Sequence, residues 1–192
     1  MPNVDFRRSP VLNAKLTYAW VKRKVLLARG RLDYHVVYPG LAVGAGMPHP
    51  LAAPALHHHG FTAYLDVRMP TERGGDWSHV AEGVHVKWLP IRDLSAFTLE
   101  QIDEGTAWIL EQMRAKRTVL VTCRAGQGRS VTMVLAALMR LGHTLDEAQA
   151  LLARSGRIIN VTPPQKVLLA ELAARQGADA VVGEAHEVGH AN

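Results

Sequence analysis

The stretch from Thr118 to Ser130, TVLVTCRAGQGRS, decides the fold. Its opening residues, Thr118 to Thr122, form a short apolar run of the kind found in a parallel strand buried on both faces. Its end leads into Ser130 to Leu141, which reads as a helix stopped by Gly142. Between strand and helix, Gly126 and Gly128 permit a tight loop that turns successive backbone N–H groups inward. Those groups and the positive end of the helix make an anion cradle about the size of a phosphate. Arg129 closes the loop, where a planar guanidinium grips two phosphate oxygens. Cys123 lies at the base of the cradle, and a thiol facing a helix N-terminus and an arginine has its thiolate favoured. Beneath a bound phosphate monoester that thiolate is placed for in-line attack on phosphorus, with a thiophosphate enzyme as product.

Outward from this loop, strands and helices alternate. Tyr34 to Tyr38 and Leu41 to Gly44 are β-like pieces separated by the turn signal Pro39-Gly40. Pro50 to Gly60 reads as a short helix closed by glycine, and Phe61 to Val67 and Val84 to Leu89 read as strands. Thr98 can cap a helix running to about Arg114, with Leu99, Ile102, Trp108, Ile109 and Met113 on its apolar side. Thr144 and Glu147 form a capping box for a helix over Leu145 to Ala153, and Pro163-Pro164 opens a last helix to about Arg175. The pattern predicts an α/β sandwich whose ligands sit at the carboxyl ends of the strands.

The chain has 192 residues, enough for one domain with a substantial core and too few for two ordinary ones. With 48% hydrophobic and 20% charged residues it is neither disordered nor fibrous. The formal net charge is +5, but residues 1–31 carry eight basic residues and one acid, Asp5, so the remainder is slightly acidic. That distribution does not give a nucleic-acid face, and no nucleic-acid partner is expected. The chain divides into a basic amphipathic segment, 1–31, a catalytic domain, 32–176, and a small, polar, acidic tail, 177–192, expected to fray. Within the first segment, 11–28 places Leu12, Leu16, Ala19 and Trp20 at helical spacing, with Lys15 and Lys22 to Lys24 elsewhere around the wheel. Packing on the domain is the leading reading, and contact with an anionic lipid surface is the alternative. The longest apolar stretch, Leu41 to Leu56, is broken by Gly44, Gly46, Pro48, Pro50 and Pro54, so no transmembrane helix is expected. Basic residues interrupt every possible secretory core at the N-terminus, and a cytoplasmic location is expected. The single cysteine, Cys123, leaves no pair for an internal disulfide and no multi-cysteine zinc site.

The C-x5-R-S arrangement from Cys123 to Ser130 resembles the signature of the cysteine-dependent protein tyrosine phosphatase superfamily, most closely its dual-specificity phosphatases. The resemblance spans roughly 34 to 170. The signature follows over a hundred residues, unlike low-molecular-weight phosphatases and arsenate reductases, where it lies near the N-terminus. Arg157-Ile158-Ile159-Asn160, leading to Pro163, Pro164 and Gln165, also looks like the family's region after the signature helix. The resemblance implies a three-layer sandwich with a central, mostly parallel sheet of four to five strands flanked by helices. It implies Cys123 as nucleophile, Arg129 as phosphate ligand and transition-state stabiliser, and Ser130 as donor to the sulfur. It implies substrate binding by the loop residues Arg124, Ala125, Gly126, Gln127 and Gly128. It also requires a general acid upstream, because an alkoxide or phenolate leaves poorly unless protonated. Asp93, after Trp88-Leu89-Pro90-Ile91-Arg92 and 30 residues before Cys123, fits; Asp66 and Asp76 are rivals, the first suited to an ion pair with Arg68. The family usually has histidine before the cysteine, and this chain has Thr122.

The implied function is phosphomonoester hydrolysis through a cysteinyl-phosphate, on a phosphoprotein or, by the same mechanism, on a lipid or inositol phosphate. Arg124 beside the nucleophile and the basic segment are what make the second substrate class the alternative reading. A non-catalytic phosphate-binding module, motivated by Thr122, and a rhodanese-like sulfurtransferase compete; the Arg129-Ser130 ending argues for phosphate chemistry. No cofactor or metal is expected: consecutive His57, His58 and His59 point in different directions on a helix, and with His49 they make a poor ligand set. Gly44-Ala45-Gly46 is a weak fragment of a nucleotide-binding pattern, because Met47-Pro48 follows where a helix should begin. The four tryptophans read as core and rim.

Overall fold

The computed structural model describes residues 31–47, 49–73 and 83–188, with Ala14, Thr17, Tyr18, Val21, Val25 and Leu26 from the N-terminal segment. Five strands form one sheet: β1 (Tyr34–Tyr38), β2 (Leu41–Ala45), β3 (Ala63–Asp66), β4 (His85–Trp88) and β5 (Val119–Cys123). Their order is β1-β2-β5-β3-β4, with β1 antiparallel to β2 and the other neighbours parallel. This is the mostly parallel sheet expected from the sequence. The helices are α1 (His49–His58), α2 (Pro70–Arg73), α3 (Leu99–Arg114), α4 (Arg129–Arg140), α5 (Leu145–Arg154) and α6 (Pro163–Val188).

β5 lies at the centre and is buried along its whole length. Its alternation assigns the two faces. Val119, Val121 and Cys123 point into the larger core, which Ile102 and Ile109 of α3, Val131 to Met139 of α4, Ala148 and Leu152 of α5 and Leu168 and Leu169 of α6 complete. Leu120 points to the opposite face and packs with Ala42, Leu56, Phe61, Tyr64 and Val84 under α1. The result is helix, sheet and helix in three layers. α4 is buried along nearly its whole length because it rests on β5 and is covered by its neighbours. Such an element fixes the position of its own N-terminus to within a side-chain packing tolerance.

The punctuation follows the sequence closely. Pro39-Gly40 turns the β1–β2 hairpin with Gly40 at φ 77°. Thr98 and Gln101 form a capping box on α3, and Thr144 and Glu147 form the expected one on α5. Gly142, at φ 98°, follows α4. Two boundaries differ. The last helix, expected to stop near Arg175, continues to Val188. The short helix α2 was not anticipated; Pro70 opens it, and Glu72 accepts from the N–H of Met69 at 3.0 Å. The described positions of the 11–28 segment are helical, and Tyr18, Val21 and Val25 are exposed. Among the described residues no helix is long and apolar enough to cross a membrane.

Candidate active site

The parallel strands β2, β5, β3 and β4 present their carboxyl ends to one edge of the sheet. Cys123 ends β5 and Arg129 begins α4, so the five intervening residues form the loop the sequence predicts. Gly126 holds the loop's sharpest point at φ 69°, and a Cβ there would lie 2.5 Å from the Gly44 carbonyl oxygen and 2.1 Å from an Arg157 nitrogen. Gly44 and Gly46 are therefore packing glycines. A Cβ on Gly46 would meet Arg68 Nε at 2.5 Å. Gly44 is a place of close approach to the loop and Gly46 a place of close approach to Arg68, so packing accounts for both. Gly128 precedes α4 with no side-chain cap. The first N–H groups of α4 are accordingly available to an anion.

Cys123 is 3% exposed, and its sulfur accepts from the Gly126 N–H at 3.2 Å and the Ser130 hydroxyl at 3.3 Å. Burial alone would raise the thiol pKa. The Ser130 hydroxyl, the N–H groups of Ser130 and Gly126 and the Arg129 charge outweigh it, so the thiol is held below its ordinary value. Sulfur, hydroxyl, glycine and arginine are thus brought together as the sequence proposed. Gly126 and Gln127 are buried, while Arg124 and Ala125 are exposed at the rim.

Arg129 is 1% exposed and fixed on several sides. Its Nη1 donates to Glu72 Oε2 at 2.7 Å and to the Ile91 carbonyl at 2.8 Å, and its Nη2 donates to Glu72 Oε1 at 2.8 Å. Asp93 Oδ1 stands 3.1 Å from Nε, an ion pair whose angle is too poor for a hydrogen bond. The buried Nε–H therefore has no acceptor among the described residues. A buried N–H left without an acceptor is a donor that an anion in the cradle could use.

Of the two rivals of Asp93, Asp66 is set apart by its surroundings. Asp66 is fully buried and bound by Arg68 Nε at 2.9 Å, Arg68 Nη2 at 2.8 Å and Arg73 Nε at 3.3 Å, so it is the structural ion pair the sequence suggested. Asp76 lies outside the described residues. Asp93 keeps a half-exposed carboxyl (52%) beside Arg129, where it can meet a leaving group. Thr122 faces the other side of β5, and its hydroxyl donates to the Tyr64 hydroxyl at 2.8 Å. It fills its slot with a buried hydroxyl pair, separate from the sulfur's own donors. Among the described residues no three metal-ligating side chains converge. His59 packs edge-on to Tyr34 at 5.3 Å. Trp88 donates to the Arg68 carbonyl at 2.8 Å and carries Arg73 over its ring at 4.9 Å, and Trp108 packs against the core.

Two residues of this constellation have no assigned role in the sequence pattern. Glu72 clamps Arg129 from a helix of only four residues; the Pro70 start with an acid two residues later was the available signal. Arg157 is 7% exposed and donates from Nε to the Gly126 carbonyl and from Nη2 to the Ala125 carbonyl, both at 2.7 Å, while Nη1 reaches Asp33 at 2.8 Å. It holds the outward-facing carbonyls of the loop, so that the N–H groups face inward. The sequence offered Arg157 only as part of a resemblance.

An anion cradle at the end of a central parallel strand, with an activated thiol below it and a buried arginine at its mouth, defines a cysteine-dependent phosphatase. The chain belongs to the family described as dual specificity phosphatase, catalytic domain, whose model matches residues 46–174. Among solved structures, Tk-PTP in its active form is 30% identical, with a TM-score of 0.64 over 74% of this chain and 97% of that one. PTPMT1 in complex with PI(5)P is 22% identical, with a TM-score of 0.67 over 77% of this chain and 98% of that one. Human DUSP28 is 22% identical, with a TM-score of 0.63 over 76% and 99%. The two at 22% share the fold. No curated protein sequence matches the chain.

Proposed function

We propose that this phosphatase hydrolyses phosphate monoesters with Cys123, Arg129, Asp93 and Ser130 in the roles their placement supports. The observation that carries this reading is the Cys123 sulfur, held by the Gly126 N–H and the Ser130 hydroxyl directly before the N-terminus of α4. The thiolate attacks phosphorus, forming a P–S bond as the ester P–O bond breaks. Asp93 gives its proton to the departing oxygen. Backbone N–H groups from Arg124 to Arg129 and the Arg129 guanidinium bind the three equatorial oxygens, whose charge they stabilise through the transition state. Water then attacks the phosphorus, Asp93 accepts its proton, and the P–S bond breaks. Ser130 donates to the returning thiolate and makes sulfur a better leaving group.

The test is Cys123→Ser. This variant keeps the fold and loses cleavage of an aryl phosphate, and wild type releases a stoichiometric burst of phenol. Full activity in Cys123→Ser, or binding without hydrolysis in wild type, overturns the reading.

A second reading keeps the mechanism and assigns a lipid or inositol phosphate in place of a phosphoprotein. It is supported by Arg124, exposed next to the nucleophile, and by Tyr18, Val21 and Val25, apolar and exposed on a helix within the basic 1–31 segment. Such a segment suits an anionic membrane surface. Phosphate release from phosphopeptides, inositol phosphates and lipid phosphates in vesicles separates the two. A cytoplasmic site of action fits a nucleophile that depends on external thiols to stay reduced.

A further inference from the structure

The connection between α5 and α6, with the first turn of α6, touches both the phosphate loop and the loop that carries Asp93. On one side Arg157 holds the Gly126 and Ala125 carbonyls, and the Asn160 N–H donates to the Gln127 carbonyl at 2.8 Å. On the other side the Thr162 hydroxyl donates to the Leu94 carbonyl at 3.2 Å, and Gln165 Nε2 donates to the Ser95 carbonyl at 2.9 Å. Gln165 is 1% exposed, and its Oε1 accepts from the Thr162 N–H at 3.1 Å. That last bond is half of an ordinary capping box for α6. The remaining donors, the threonine hydroxyl and the glutamine amide, are directed outward to the two residues that follow Asp93.

The backbone they hold is a costly one. Leu94 has φ 64°, a left-handed conformation that a branched, non-glycine residue adopts at an energetic cost. The residue is 59% exposed, so apolar burial does not hold it there. What holds the turn is the Ser95 N–H on the Arg92 carbonyl at 3.3 Å and the bonds from Thr162 and Gln165. Asp93 enters this turn with its carboxyl beside Arg129 Nε. The direction of the carboxyl is therefore set by where the Leu94 and Ser95 carbonyls are tied.

We infer that Thr162 and Gln165 are positioning residues for proton transfer: they latch the Asp93 loop to the start of α6 and so hold the carboxyl over the mouth of the cradle. This rests on the reading of Asp93 as general acid. An acid contributes only from within hydrogen-bond reach of the leaving oxygen, and a displacement of about 1 Å costs on the order of 100-fold. Because Arg157 and Asn160 hold the phosphate loop from the same connection, loosening the acid loop leaves the sulfur's own donors in place.

The experiment is a leaving-group series. Turnover of aryl phosphates, from good to poor leaving groups, is measured for wild type, Thr162→Val, Thr162→Ser, Gln165→Met and Asp93→Asn. The pH profile of Cys123 alkylation by iodoacetamide is recorded for each. Thr162→Val and Gln165→Met should steepen the dependence on the leaving group, losing roughly tenfold more on the poorest than on the best. Thr162→Ser restores the wild-type slope, the alkylation profile stays at its wild-type position, and Asp93→Asn gives the steepest slope. If Thr162→Val and Gln165→Met slow all substrates alike while Asp93→Asn steepens the slope, the latch is refuted and the acid role stands. If Asp93→Asn leaves the slope unchanged, the acid role fails and takes the latch with it. Should Gln165→Met not fold, the Thr162→Val and Thr162→Ser pair decides alone.

Discussion

Replacing Glu72 by glutamine leaves the volume of the side chain but removes its charge, and the consequence can be worked from the contacts. Glu72 accepts two charge-assisted hydrogen bonds from Arg129, at 2.7 and 2.8 Å, with both side chains largely buried (1% and 14% exposed). Bonds of this kind contribute about 1.5–3 kcal/mol each, and breaking a buried pair from one side costs about 3–5 kcal/mol. Arg129 keeps the Ile91 carbonyl and Asp93, and glutamine retains one acceptor, so about 3 kcal/mol is the expected loss. In a domain of this length that lowers Tm by about 6–12 °C. The guanidinium also loses the partner that fixes its plane, and kcat/KM on an aryl phosphate should fall by about 100-fold, equivalent to about 2.7 kcal/mol. The pH dependence has a definite sign. Chiefly through the Arg129 hydrogen bonds, the Glu72 carboxyl is held below its usual range in the folded state. Its contribution is complete above the unfolded glutamate pKa of about 4.3 and disappears as pH falls through the lower folded value. The gap in Tm between wild type and Glu72→Gln should be full at neutral pH and close in acid. Circular dichroism melts across pH, with initial rates, make the assay. A variant that melts within a degree of wild type at neutral pH and keeps kcat/KM within about twofold would show that Glu72 does not organise Arg129.

Ser130→Ala removes the side-chain donor to the sulfur, so the pH midpoint of Cys123 alkylation should move toward the ordinary thiol value of about 8.5, and breakdown of the phosphoenzyme should become the slow step. Gly126→Ala places a Cβ 2.5 Å from the Gly44 carbonyl oxygen at a positive φ; vanadate should lose its ability to raise Tm, while the far-UV spectrum keeps its helical signature. Arg157→Met leaves two loop carbonyls and Asp33 without their donor, and KM for an aryl phosphate should rise roughly tenfold with a lower Tm. Peroxide should inactivate the enzyme at Cys123, and because the chain has no second cysteine to trap the sulfenic acid, an external thiol should restore activity; peptide mapping checks the site.

The loop from Cys123 to Ser130 was legible because its chemistry is local. A buried strand, two glycines and a helix start follow one another in the chain, and the cradle is made of backbone groups whose direction the loop itself sets. The capping boxes at Thr98 and Thr144 and the turn at Pro39-Gly40 were legible for the same reason. Glu72, Arg157 and the Thr162–Gln165 pair were not, because each reaches the site across a long sequence separation. Arg157 holds carbonyls 31 and 32 positions away and Glu72 meets Arg129 57 positions away. No periodicity within either segment records the other partner. The glycine pair Gly44-Ala45-Gly46 shows the converse error: its spacing suggested a ligand, and the close neighbours turn out to be Arg68 and the loop at Gly126. The end of α6 was misjudged because small residues after Gly177 weaken the helical pattern without breaking it.

The central claim is that the Cys123 sulfur takes the phosphoryl group. Acid-quenching the reaction with an aryl phosphate during turnover, in wild type and in Ser130→Ala, and mapping the modified peptide by mass spectrometry tests it directly. One added PO3 group is expected on Cys123, more abundant in Ser130→Ala. Continued hydrolysis with Cys123 unmodified in both, or with the phosphoryl group on another side chain, would contradict it.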